Sequence, residues 1–143
     1  MDGACKGNPG PGGWAAILVH PVSGKRREIS GAHPGTTNNR MELTAVIEGL
    51  RSIHRPSDVE VFSDSKYVVQ GMTEWIHDWI RRGWKTSAKK PVLNEDLWRE
   101  LLELADAQAE IRFTWVAGHA GHPENERCDE LAVNAYRELL KQS

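Results

Sequence analysis

An α/β domain built on a mixed β-sheet is the fold class this sequence predicts, and three observations carry that expectation. A hairpin pattern opens the chain, apolar residues afterwards switch between helical and strand spacing, and no linker or repeat divides the 143 residues. A hairpin followed by alternating helices and strands is the element order of a layered α/β unit. The length suffices to bury one substantial core, so residues 1–143 are expected to form a single domain.

Gly13 to His20 reads as a strand after a Gly/Pro-rich turn, and Lys25 to Ala32 as its antiparallel partner across Pro21-Val22-Ser23-Gly24. Asn39 to His54 is helical, with Leu43, Val46, Ile47, Leu50 and Ile53 on one face, and Pro56 is expected to end it. Val59 to Ser63, short and β-branched, reads as a central strand. Two short helices follow, Ser65 to Gly71 and Glu74 to Arg82, with Trp75 and Trp79 expected in the core. Gly83 to Pro91 is a basic loop. Asn94 to Ala107 sets Leu97, Leu101, Leu102 and Ala105 along one stripe, with Asn94 as N-cap. Glu110 to Val116 alternates as a strand, and Pro123 to Lys141 forms a terminal helix. The predicted order is β-β-α-β-α-α-α-β-α.

An apolar content of 39% and a charged content of 27% are ordinary for a globular protein. No apolar run approaches the roughly 20 residues that span a bilayer, and the first residues lack a basic segment followed by an apolar one. Two cysteines, Cys5 and Cys128, are too few for a disulfide scaffold and lack zinc-site spacing, so a reducing, cytoplasmic setting is expected. The net charge of −2 conceals an uneven distribution. Five cations (Arg81, Arg82, Lys85, Lys89, Lys90) fall between positions 81 and 90 with no acid among them, which permits one basic surface on a mildly acidic protein.

Four acids far apart in sequence, Asp2, Glu42, Asp64 and Asp129, each lie in a segment that restricts their geometry. Gathered carboxylates repel unless protons or cations sit between them. Oxygen-only clusters suit hard ions such as Mg²⁺, which also take phosphate oxygens as ligands, and that points to phosphodiester chemistry. Each acid also has a plainer reading. Asp2 alone is a terminal surface residue, and Glu42, three residues after Asn39, fits a capping box. Asp64 follows Glu60 and Phe62 on one face at the C-terminal end of its strand, where open α/β sheets bind ligands. Asp129 also reads as a helix acid paired with Arg127 or with cations near Lys141. His119 and His122 are spaced by three with no third soft ligand nearby, so loop and cap hydrogen bonding is the plain alternative to a metal site.

Taken together, several stretches resemble type 1 ribonuclease H of the bacterial kind. They are Asp2-Gly3-Ala4 with Gly7-Asn8-Pro9-Gly10-Pro11-Gly12-Gly13, Thr36-Thr37-Asn38-Asn39-Arg40-Met41-Glu42-Leu43, Ser63-Asp64-Ser65, Trp84-Lys85-Thr86, and Gly118-His119-Ala120-Gly121-His122-Pro123-Glu124-Asn125-Glu126. Any one could arise by chance; all of them in this order cover nearly the whole chain. The resemblance implies a ribonuclease H-like three-layer fold, with a mixed sheet flanked by helices. It also implies hydrolysis within the RNA strand of an RNA·DNA hybrid, leaving 5′-phosphate and 3′-hydroxyl ends. Asp2, Glu42, Asp64 and Asp129 would hold two Mg²⁺ ions, with Mn²⁺ as substitute. Glu126, three residues before Asp129 on the same helix face, is a candidate auxiliary to those ligands.

His119 would occupy a mobile-loop position that assists proton transfer or product release, a task suited to a group titrating near neutrality. Cys5, Asn8, Asn38 and Lys66 would lie along the minor groove, where 2′-hydroxyls distinguish RNA from DNA. Asn39 offers the same donor and acceptor groups beside them, although alone Asn8 reads as a turn former and Asn39 as a helix cap. Family members often carry glutamine where Lys66 stands. Thr37 would face a DNA phosphate, and Trp84, Lys85, Lys89 and Lys90 would belong to a basic protrusion gripping the DNA strand. A monomer with no obligatory protein partner is expected.

One departure stands out. In that family the first carboxylate lies within a mid-sheet strand that starts several residues upstream, whereas only Met1 precedes Asp2 here. The first strand is therefore expected to be truncated, at a cost on the order of several kcal/mol in ladder pairing and apolar burial. Either the natural chain begins further upstream, the favoured expectation, or the fold tolerates a stub. Two other functions compete with the hydrolase. A hybrid-binding module without catalysis would follow if the short strand misplaces Asp2. A transposase or integrase could use the same fold, although the basic loop and Asn38-Asn39 argue against it.

Overall fold

The computed structural model describes residues 2–5, 9–117 and 123–142, with backbone alone for 2–5, Asn125 and Gln142. The elements are β1 (Asp2–Cys5), β2 (Gly10–Val19), β3 (Arg26–Thr36), α1 (Asn38–Arg51), β4 (Asp58–Ser63), α2 (Lys66–Gln70), a π-helical turn (Gly71–Trp75), α3 (Ile76–Arg81), α4 (Glu95–Asp106), β5 (Glu110–Trp115) and α5 (Pro123–Gln142). Strands β1, β2 and β3 pair antiparallel in that order, while β4 and β5 pair in parallel across the crossover formed by α2 to α4. Both pairing senses expected of a mixed sheet are present, in two hydrogen-bonded parts.

The short first strand is four residues long and held in register, with Asp2 opposite Ala15 and Cys5 opposite Gly12. Strand β2 starts at Gly10, three residues before the predicted Gly13, and the register shifts between Gly10 and Gly12. There Pro34 and Gly35 of β3 stand opposite Pro11 alone, so the extra residue is in β3, and the two prolines, which have no N–H for the ladder, fall at the irregularity. That shift also lets β3 continue past Ala32, until Thr36 faces Gly10.

Ala15 and Ala16 are both fully buried, and consecutive strand residues point to opposite faces, so β2 supports packing on two sides. Ala15 meets Cys128 and Ala132 of α5. The larger core unites Leu43, Val46 and Leu50 of α1 with Val61 of β4, Val68 of α2 and Trp98 of α4. Helix α5 sits very close to β2: a Cβ placed on Gly13 would lie 2.0 Å from the carbonyl oxygen of Ala132.

Several helix boundaries differ from the predicted ones. Thr37, not Asn39, caps α1, its hydroxyl accepting from the Arg40 amide at 3.2 Å. The helix stops at Ser52, whose hydroxyl donates to the Gly49 carbonyl at 2.7 Å, well before Pro56. The two short helices predicted from 65 to 82 are joined by the π-helical turn, so α2 and α3 are continuous. Gly71 in that turn lies against the Trp98 ring, where a Cβ would approach to 2.0 Å. Asn94 occupies the expected N-cap position of α4, in a left-handed conformation (φ 61°), but its side chain makes no capping bond. Its amide instead donates to the Tyr67 hydroxyl at 3.0 Å and accepts from Arg40 at 3.2 Å. Trp79 packs on the core as expected, but Trp75 stays 36% exposed, its ring edge-on to Tyr67.

Candidate active site

Glu42 lies in the second turn of α1. With Thr37 as cap, the capping-box position falls on Arg40, which removes that reading of Glu42. Its neighbours Met41 and Leu43 are buried, and its own carboxylate oxygen Oε2 is out of contact with solvent. An anionic oxygen removed from water is costly unless positive charge compensates it.

Asp64 follows β4, where Val61 and Ser63 are buried and Glu60 and Phe62 are exposed, the alternation expected of the strand. The turn after it is held firmly. The Ser65 amide donates to Ser63 Oγ at 3.1 Å, and Ser65 Oγ accepts from the Val68 amide at 3.2 Å, capping α2. The Trp115 indole Nε1 donates to the Asp64 carbonyl at 3.1 Å.

Asp129 lies in the second turn of α5, next to the fully buried Cys128. Cys128 packs on Ala15, and Ala15 stands opposite Asp2, so the Asp129 segment and the first strand meet at one point of β2. The plain reading of Asp129 as a partner of Arg127 does not hold: Arg127 gives its hydrogen bonds to Glu28 on β3, at 3.0 and 3.2 Å, and to Glu130 at 2.8 Å. Those bonds hold the Glu28 carboxyl below its ordinary range and the Arg127 guanidinium above its own. Lys141 pairs with Glu138.

Strand β1 packs against both α1 and α5 and so joins the segments of Asp2, Glu42 and Asp129; β4, which leads to Asp64, shares the larger core with α1. Among the described residues, no three His, Cys, Asp or Glu side chains stand close enough to hold a metal ion. The side chains of Asp2 and Cys5, and all of Asn8, His119 and His122, lie outside the described residues.

The basic loop is a formed structure. Gly83, Trp84, Lys89 and Asn94 all have positive φ, between 61° and 68°. Lys85 bridges Pro91, the Thr86 amide donates to the Lys90 carbonyl at 2.8 Å, and the Lys89 amide to the Thr86 carbonyl at 2.9 Å. Trp84, expected among the substrate contacts, is a core residue at 8% exposure. The Arg99 guanidinium lies over its ring at 4.7 Å, and its carbonyl accepts from the Val92 amide. A bulky residue in the left-handed region is strained, and this burial offsets the strain. Lys85, Lys89 and Lys90 remain exposed around it, as do Asn38 and Asn39 at the start of α1.

A sequence profile of the RNase H family matches residues 1–137. The chain belongs to the RNase H family. It is 56% identical over 138 residues to the ribonuclease H of Pelobacter propionicus, covering 96% of this chain and 83% of the relative. It is likewise 56% identical over 137 residues to the ribonuclease HI of Caulobacter vibrioides, covering 96% and 90%. Among solved structures it is similar to LC9-RNase H1, described as a type 1 RNase H with the type 2 active-site motif. That match has a TM-score of 0.82 and 39% identity, over 96% of this chain and 70% of the other. The resemblance drawn from the motifs and the three-layer α/β expectation are both borne out.

The four acids singled out in the sequence carry carboxylate oxygens, the buried Glu42 Oε2 among them, and oxygens of this kind suit a hard divalent cation better than a soft one. Sequence reasoning missed the group around Asn94. Arg40 forms a two-pronged ion pair with Asp96, at 2.7 and 3.0 Å, which raises the arginine pKa and lowers that of the carboxyl. The Tyr67 hydroxyl accepts from both Asn94 and Trp98. No sequence signal links positions 40, 67, 94 and 96. Trp115 was missed for the same reason: its role appears only once β5 is paired with β4.

Proposed function

We propose that this protein is an endonuclease that hydrolyses the RNA strand of RNA·DNA hybrids, leaving 5′-phosphate and 3′-hydroxyl ends. The observation that supports it best is the seating of β1, with Asp2 opposite Ala15 on a strand packed between α1 and α5. Asp2, Glu42, Asp64 and Asp129 would hold two Mg²⁺ ions, or Mn²⁺ in their place, with Glu126 as auxiliary; such a pair activates an attacking water and stabilises the leaving oxygen. In this reading His119 supplies a proton at the leaving 3′-oxygen. Cys5, Asn8, Asn38 and Asn39 sense the minor groove, and Thr37 receives a DNA phosphate beside the cap it forms. Lys66 adds positive charge near the RNA strand, and Lys85, Lys89 and Lys90 grip the DNA backbone. The protein works as a cytoplasmic monomer. No helix among the described residues is long and apolar enough to cross a membrane.

The test uses a hybrid labelled on its RNA strand, with Mg²⁺ for cleavage and Ca²⁺ for binding alone. Asp64→Asn should nearly abolish cleavage while leaving hybrid affinity measurable. Turnover by that variant at the unsubstituted rate refutes the metal assignment.

A further inference from the structure

From the end of the parallel β4–β5 pair we infer that Trp115 is a positioning residue, whose indole sets both the Asp64 turn and the Lys66 ammonium. The inference rests on the proposed hydrolase and assigns one more residue to that site. Along the pair, Ser63 stands opposite Trp115, and the Val116 amide donates to the Ser63 carbonyl at 2.9 Å. The next carbonyl, that of Asp64, receives the Trp115 indole N–H at 3.1 Å. A side chain thus carries the ladder one step past the strand, to the residue proposed to bind metal.

A bonded carbonyl fixes the Asp64–Ser65 peptide plane. That plane also contains the Ser65 amide, which donates to Ser63 Oγ, so the plane is held from both sides and the Asp64 backbone has little freedom to turn. The same indole carries the Lys66 amine on its face, 4.8 Å from the ring centroid. Trp115 is 43% exposed and Lys66 is exposed, so the platform borders open solvent where a phosphate backbone can reach it. An ammonium resting on an aromatic face is restrained but keeps N–H groups for an anion. Two consequences are separable, since one depends on the indole N–H and the other on the ring.

Trp115→Phe keeps an aromatic face and deletes the donor. It should weaken Mg²⁺ binding to the free protein, measured by calorimetry, and lower kcat by about tenfold, given that misplacement by about 1 Å can cost 10²-fold, while KM changes little. Trp115→Leu should lower kcat similarly and also raise KM, as Lys66→Met does alone. In the Trp115→Leu background Lys66→Met should then add little. Rates are compared at a temperature where circular dichroism shows each variant folded. A Phe variant with lowered thermal stability but unchanged Mg²⁺ affinity and kcat would make the bond merely structural and overturn the inference.

Should that variant not fold, the unsubstituted protein decides. The Trp115 indole N–H resonance should exchange slowly with solvent and shift on titration with Mg²⁺; fast exchange without a shift overturns the inference. The two readings fail differently: an active Asp64→Asn enzyme sinks the hydrolase mechanism, whereas an inactive Asp64→Asn beside an unimpaired Trp115→Phe sinks this assignment alone.

Discussion

Gly13→Ala should slow the enzyme from a buried position packed against the backbone of α5. The added Cβ would meet the Ala132 carbonyl oxygen at 2.0 Å and the Tyr136 amide nitrogen at 3.3 Å, both backbone atoms of α5. Neither can rotate away as a side chain would. Opening the closest gap from 2.0 to the 3.0 Å that real Cβ atoms respect requires a shift of about 1 Å between β2 and α5. Overpacking of this kind costs about 1–3 kcal/mol, which for a chain of this size lowers Tm by about 3–10 °C. Asp129 lies three residues from Ala132 on the same helix, so it moves with the shift. If Asp129 holds metal as proposed, a displacement of that size should reduce turnover by up to about 10²-fold. Calorimetry gives the Tm, and cleavage of an RNA-labelled hybrid at saturating Mg²⁺ gives kcat. Unchanged Tm and kcat together would show that α5 can yield without moving Asp129, and the argument from close packing would fail.

Tyr67→Phe removes the acceptor shared by the Asn94 amide and the fully buried Trp98 indole; leaving that donor unsatisfied should cost about 1–3 kcal/mol, read as a lower midpoint in urea. Asp96→Asn should flatten the acid limb of the stability curve. The hydrogen bond from Arg40 depresses the Asp96 pKa, so its contribution is present above the unfolded carboxylate range near 4 and is lost as pH falls through the lower folded value. The pair is largely exposed, which limits the effect to less than about 1 kcal/mol in urea titrations at pH 3 and pH 6. Replacing Lys85, Lys89 and Lys90 together by alanine should raise KM and reduce the salt slope of hybrid binding by up to about 2.7, from 0.9 per lost phosphate contact; an unaltered slope would count against the grip.

Legibility in the sequence followed the range of each interaction. Periodicity reports faces, so α1, β4, α4 and β5 were found within a few residues, and the glycine- and carboxylate-bearing segments identified the family. The cap of α1 was misjudged because Thr37 and Asn39 offer similar chemistry to the backbone, whereas Asn94 holds the expected N-cap position of α4 but gives its side chain to tertiary partners. Its amide is taken up by Tyr67 and Arg40, residues 27 and 54 positions away. Trp84 looked like a surface aromatic among cations, and only the fold reveals Arg99 stacked on it. The bulge at Pro34–Gly35, opposite Pro11, and the π-helical turn at Gly71 depend on what lies opposite each residue, which spacing along one chain does not encode.

The polar group around Asn94 ties the helices that carry the proposed site residues to the loop of the proposed grip. Arg40 lies in the first turn of α1, two residues before Glu42, and Tyr67 follows Lys66 on α2, three residues after Asp64. Asn94 closes the basic loop and bonds to both Arg40 and Tyr67. Its left-handed backbone (φ 61°) is one that asparagine tolerates better than most residues, and there its side chain spans α1 and α2. The loop's other end is sealed by Trp84 in the core. With both ends fixed, the lysines sit on a formed surface, so less ordering entropy is lost when a duplex binds than for a flexible basic tail. Distance between grip and carboxylates is then a property of the core, and substitutions at Asn94 should change KM and kcat together, whereas charge removal at the loop's tip should change KM alone.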